Sequence, residues 1–100
     1  MKAIVKRVGK PPVVEEVENT LEALQRLVDG YIETVTIFDD CCVICDEEAL
    51  LKDTKRYNCT VLGLQLFGDI AVVGVDGDEF CDAPPLERIE QIHLFKYWGV

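Results

Sequence analysis

The spacing of apolar residues changes period several times along this chain, and each change marks an element. Ala3-Ile4-Val5, bracketed by charges, predicts a strand over Lys2–Arg7. Gly9-Lys10-Pro11-Pro12 turns the chain, because Pro-Pro blocks a ladder and Gly frees the backbone. Val13–Glu18 predicts a returning strand. The period then becomes helical: Leu21, Leu24, Leu27 and Val28 fall on one face. Asn19 is the predicted N-cap, with Glu22 three residues on to bond back, and Gly30 the predicted left-handed C-cap.

Tyr31–Phe38 is β-branched and aromatic and predicts a strand. Asp39-Asp40 turns it, Cys41–Cys45 is its hairpin partner, and Asp46-Glu47-Glu48 is a further turn. Ala49–Arg56 fits either one helical turn or a short edge strand. Asn58–Phe67 reads as extended, weakened by Gly63. Ile70–Val75 is nearly unbroken in its apolar character, as in a central strand buried on both faces. Asp76-Gly77 is a hairpin turn, and Asp78–Cys81 returns from it. Pro84-Pro85 opens a second helix near Pro85–Tyr97, with Leu86, Ile89, Ile92 and Phe95 as its stripe.

These elements predict an α+β fold: a single small domain over residues 1–100, with an antiparallel or mixed sheet of about five to seven strands and two helices. Leu21, Leu24, Leu27, Val72, Val73, Ile89 and Ile92 are its expected core. Two helices cover only one face of such a sheet. A second copy of the chain or a ligand is expected on the other, which predicts a homo-oligomer.

Composition narrows the class. At this length roughly 65% of the unfolded surface can be buried, enough for a core without metal or disulfide. Hydrophobic residues make up 49% and charged residues 29%, a globular balance. No apolar run approaches the ~20 residues of a membrane-spanning helix. Ala3-Ile4-Val5 is too short for a secretory signal, so a cytoplasmic location is expected. The five cysteines, an odd number, fit reduced thiols there.

Charge supplies the candidate sites. The net charge is −9, and it is uneven. Lys2, Lys6, Arg7 and Lys10 open the chain with no acid among them, whereas Glu15–Glu48 holds eleven acids against Arg26. Lys52, Lys55 and Arg56 form a second basic island, followed by Tyr57 and Asn58. Lys55 and Arg56 can meet a phosphate, Tyr57 can stack on a base, and Asn58 can bond its edge, with Lys6, Arg7 and Lys10 assisting. A small anionic, nucleotide-type ligand is the leading expectation. The alternative is docking to a basic host protein through Glu15, Glu16, Glu18, Asp39, Asp40, Glu47 and Glu48. Duplex DNA is excluded as a direct partner, because the acidic remainder of the chain repels its backbone.

Other patterns carry less. Cys42-Val43-Ile44-Cys45 is formally C-x-x-C, but in a strand its sulfurs point to opposite faces, so no metal is expected. His93 has no nucleophile motif near it, and Asp76, Asp78 and Glu79 lack the register of a calcium loop. No phosphate-binding glycine motif is present. The expectation is a non-enzymatic protein without cofactor.

Several stretches also look familiar together: Met1-Lys2-Ala3-Ile4-Val5-Lys6, Gly9-Lys10-Pro11-Pro12, the helix start from Glu18 to Gln25, Gly30-Tyr31-Ile32-Glu33, and Val72–Phe80. They resemble a family of short domains of unknown function carried by phages, plasmids and integrative elements of anaerobic bacteria. Family members commonly have Gly-Gly before Tyr-Ile-Glu, and Asp29 stands in the first of those positions here. Many have Gly where Ala49 stands, and an Asn-Arg pair near Arg56–Asn58. The resemblance implies a mobile-element accessory protein acting inside a bacterium, where such proteins often counter host defence. It transfers no catalytic residues.

Overall fold

The computed structural model describes residues 1–90 and the backbone of Phe95–Lys96. The elements run β1 (Lys2–Lys6), β2 (Val13–Glu16), α1 (Leu21–Val28), β3 (Ile32–Phe38), β4 (Cys41–Asp46), a 3-10 turn (Ala49–Leu51), β5 (Tyr57–Val61), β6 (Leu64–Phe67), β7 (Ile70–Asp76), β8 (Glu79–Cys81), α2 (Leu86–Glu90) and β9 (Phe95–Lys96). The fold is α+β. Its main sheet is antiparallel, ordered β2-β1-β7-β4-β3, with β8 also on β7; β6-β5-β9 form a second, smaller sheet.

β7 is central, as its apolar run requires. It pairs with β4 along one side and with β1 and β8, end to end, along the other. The Ala83 N–H donates to the Lys2 carbonyl (2.8 Å), and the Lys2 N–H donates to Asp82 Oδ1 (2.8 Å), closing that junction. Each face of this sheet carries a core. On one, Ala3, Val5, Cys42, Ile44, Ala71 and Val73 meet Leu24 and Val28 of α1. On the other, Ile4, Val43, Cys45 and Val72 meet Cys59, Val61 and Leu66 of the small sheet and Ile89 of α2. The face left open by a two-helix reading is therefore covered by the chain's own second sheet.

Local geometry corrects several boundaries. Thr20, not Asn19, caps α1, with its Oγ1 accepting from Ala23 N–H (3.2 Å). Asn19 is drawn away by β8, donating to the Phe80 carbonyl (3.0 Å). Asp29, not Gly30, takes the left-handed conformation (φ 55°). Gly30 is needed for space instead: a Cβ there would collide with Asp46 Oδ1 and lie 2.7 Å from Lys52 Nζ. Leu21 is 54% exposed; it shares Val28's side of the helix but lies two turns earlier, at the helix start.

The stretch 58–67 is not one extended strand. It folds at Leu62 and Gly63, both at positive φ (52° and 79°), as a two-residue hairpin turn that twists with its strands requires. The second helix is also shorter than its stripe suggests. By Phe95 the chain is a strand, with Phe95 opposite Val61 and Lys96 opposite Thr60. The unsatisfied edge of β5 takes a ladder partner there, and tertiary pairing overrides the helical spacing. Ile92 and His93 lie outside the described residues.

Candidate functional site

The sheet's antiparallel registers sort the charged loops into two groups. Lys6 lies level with Ile70, and Ile44 with Ala71; at the opposite end Cys41 lies level with Gly74, and Lys2 two residues beyond Ile4 and its partner Val72. One end, the Lys6 end, therefore gathers the Arg7–Pro12 turn, Gly68-Asp69, the segment from Asp46 to Arg56 and the C-terminus of α1. The Gly74 end gathers Glu16–Asn19, Asp39-Asp40, Asp76–Glu79 and Asp82.

The cations singled out in the sequence converge at the Lys6 end, but most meet the chain's own negative groups. The Lys55 ammonium donates to the carbonyls of Val28 (2.8 Å) and Asp29 (3.1 Å), and its side chain is 7% exposed. Lys52 donates to the Asp29 carbonyl (2.9 Å) and to Asp46 Oδ2 (2.7 Å). Together the two lysines close the C-terminus of α1, where carbonyls are unsatisfied and the helix dipole is negative. Asp46, fully buried, anchors both, with Lys55 at 3.6 Å. Burial pulls the Asp46 carboxyl upward. The Lys52 bond, the Glu48 N–H and the two ammonium charges outweigh that and hold it below the usual carboxylate range.

The remaining candidates also have structural partners. Arg7 clasps Glu15 across the β1–β2 hairpin with two guanidinium nitrogens. That bond raises the arginine and lowers the carboxyl. Lys6 is buried, with its ammonium donating to the Arg7 carbonyl (3.0 Å); burial depresses its pKa against the pull of Cys59 and Asp69. Tyr57 packs edge-on against Phe67 (5.8 Å between centroids) and shares a hydrogen bond with Thr60 (2.6 Å). Asn58 is buried and donates to the carbonyls of Lys6 and Gly68 (2.8 Å each), tying β1 to the small sheet. Arg56 and Lys10 are exposed. Arg56 borders a cleft of about 270 Å³ shared with Lys55, Thr54, Asp29 and Asp69, so the cleft's charge is mixed. A wider groove of about 580 Å³ holds Arg26 and Lys52 beside Glu22, Asp29 and Glu48, and is mixed too.

The seven acids of the alternative surface divide. Glu47 and Glu48 are exposed at the Lys6 end, and Glu15 is held by Arg7. Glu16 lies 3.3 Å from the N-terminal ammonium. Asp40 accepts two bonds from Arg88 (3.0 and 3.2 Å), which lower its pKa. Glu18 and Asp39 are exposed at the Gly74 end, and Asp76, Asp78 and Glu79 of the β7–β8 hairpin join them there. The Asn19–Phe80 bond sets Glu18 near Glu79, and the Val75 N–H donating to the Asp40 carbonyl (2.8 Å) sets Asp39 near Asp76. No linear motif signals this grouping; the β7 registers create it. Among the described residues no three His, Cys, Asp or Glu side chains converge as metal ligands.

A family model for a domain of unknown function, DUF3846, matches residues 1–95. The chain belongs to the DUF3846 family. No curated protein and no solved structure matches it. In this DUF3846 domain all five cysteines are free. Cys41 and Cys45 face the small sheet while Cys42 faces α1, so the C-x-x-C sulfurs diverge. Burial pushes the thiols of Cys42, Cys45 and Cys59 up to about 11, which keeps them protonated and unreactive at neutral pH. No helix of the described DUF3846 domain is long and apolar enough to cross a membrane.

Proposed function

We propose that this domain is a non-enzymatic interaction module that docks a basic protein against its Gly74 end. One observation carries the reading: Arg7, Lys52 and Lys55 are tied to the chain's own carboxylates and carbonyls, while Glu18, Asp39, Asp76, Asp78 and Glu79 are exposed at one end. An acidic end of this kind steers a basic partner over roughly one Debye length, about 8 Å at physiological salt, and suppresses acidic competitors. In the setting implied by the resemblance, a mobile-element accessory countering host defence, the partner is a host nucleic-acid-binding protein whose basic site is occupied. The reading built on a small anionic ligand retains Arg56 and Lys10 as its available cations.

The test is capture from a bacterial extract, identification of the bound protein, and titration of that purified protein. The complex should weaken as salt rises, compete with nucleic acid for the partner, and be lost with Asp39→Lys, Asp76→Lys and Asp78→Lys combined. Arg56→Ala should leave it intact. Release of a small anion on denaturation, abolished by Arg56→Ala and unaffected by the acid reversals, would refute the proposal and establish the ligand reading.

A further inference from the structure

Among the described residues, β4 is the only strand paired with β3, which leaves β3 as an edge. The phase of its ladder is fixed by the Glu47 N–H, which donates to the Tyr31 carbonyl (2.8 Å) in the same register that sets Ile32 opposite Asp46. Tyr31, Glu33 and Val35 therefore turn their backbone groups toward β4. Ile32, Thr34 and Thr36 turn theirs outward. The strand has seven residues and one charge, Glu33, so the edge is weakly guarded. Beside its Glu33 end lies a cleft of about 190 Å³ shared with Leu50 and Leu64, whose side chains, like that of Leu51, are exposed.

We propose that a second copy of this chain occupies this edge, its β3 pairing antiparallel with the first about a two-fold axis at Thr34. The edge is complementary to itself. About that centre Thr34 faces Thr34, Ile32 faces Thr36, and Glu33 faces Val35, so β-branched residues oppose one another and no charge opposes its own copy. The outward groups of residues 32, 34 and 36 meet in phase and close about six ladder hydrogen bonds. The register shift between Thr36 and Phe38 ends the pairing on each side. Antiparallel pairing also brings the Gly74 end of one copy alongside the Lys6 end of the other, so that neither end meets its own copy. The acidic Gly74 ends of the two copies are thereby kept apart. The exposed leucines stand where the second copy's 36–38 segment arrives.

Sedimentation equilibrium and light scattering test this directly. The wild-type protein should reach twice its 11.3 kDa chain mass. Thr34→Lys sets two ammonium groups opposite each other at the axis, and should weaken self-association by about 100-fold or more. Thr34→Glu should do the same with two carboxylates. Both variants should keep the wild-type circular dichroism and a cooperative unfolding transition, now independent of protein concentration as for a folded monomer, since Thr34 is exposed. Mixed in equal amounts, the lysine and glutamate variants should dimerise again. A wild-type mass of 11.3 kDa at high concentration, a dimer that survives Thr34→Lys, or a mixture that stays monomeric would each overturn the proposal.

Discussion

Removing the Asp46 carboxylate should cost more than any other single change at the Lys6 end. Asp46→Ala deletes the acceptor of the Lys52 bond (2.7 Å), the acceptor of the Glu48 N–H (3.0 Å) and the ion pair with Lys55 (3.6 Å). Breaking a buried pair by removing one partner typically costs about 3–5 kcal/mol, because the other charge is stranded. The Lys55 ammonium keeps the Val28 and Asp29 carbonyls, which places the expected loss at the lower bound, about 3 kcal/mol. For a domain of this size that corresponds to roughly 12–24 °C in Tm. Urea denaturation at neutral pH measures it, with Asp46→Asn, which keeps an acceptor but no charge, expected between wild type and Asp46→Ala. The pH dependence carries the sign. Because the folded carboxyl titrates below its unfolded value, its contribution is present above pH ~4 and fades as pH falls through the lowered folded value. The gap between wild type and Asp46→Asn should therefore close below pH ~4. A loss under about 1 kcal/mol at neutral pH, the level of an exposed pair, would refute the claim that this buried carboxylate holds α1's C-terminus.

Gly30→Ala should destabilise by about 1–3 kcal/mol through overlap with Asp46, and much of that cost should vanish in an Asp46→Ala background, which a double-mutant cycle in urea would reveal. Leu62→Asn should stabilise by roughly 1 kcal/mol, since Asn tolerates the left-handed φ that Leu62 adopts beside Gly63; a lower urea midpoint would contradict this. Iodoacetamide at pH 8 should modify only the partly exposed Cys81 in the native protein and all five thiols in denaturant, and rapid native labelling of Cys42 or Cys59 would overturn the burial argument. Leu24→Ala should cost about 2–5 kcal/mol, measured in the same urea assay, because its side chain is buried against the main sheet.

Most of the main sheet was legible because its signals are local. Ile70–Val75 announced a doubly covered strand, and β4 and β7 are buried on both faces as that run implies. The Pro-Pro turn, the α1 stripe and the Asp76-Gly77 hairpin are likewise written in adjacent residues. The small sheet was not legible. Leu62 gives no turn signal, so the β5–β6 hairpin was hidden, and the apolar spacing of Leu86, Ile89, Ile92 and Phe95 concealed that Phe95 joins β5. Without that sheet the far face looked bare. On the sequence alone a second copy or a ligand is expected there, whereas the chain's own small sheet fills that face.

The candidate site was harder to read because a charge in sequence does not show its counterion. Lys55 lies 27 residues from the Val28 carbonyl it closes, and Asp46 is a single acid in a run of acids until the fold buries it. The basic island at Lys52–Arg56 was thus mostly the counter-charge of a helix terminus and one interior carboxylate. The reverse holds at the Gly74 end. Asp76, Asp78 and Glu79 belong to a hairpin that Gly77 (φ 62°) already explains, so they offered nothing to a reading by motif. They gain significance only because β7 lies between β1 and β4, which carries Glu18 and Asp39 to the same rim. α1 starts at that rim with Thr20 and ends at the opposite one, where its negative C-terminal end meets Lys52 and Lys55. The helix therefore favours the two lysines bonded to its last carbonyls. Reversing the acids should disturb binding more than folding, because Glu18, Asp39, Asp76, Asp78 and Glu79 are all exposed.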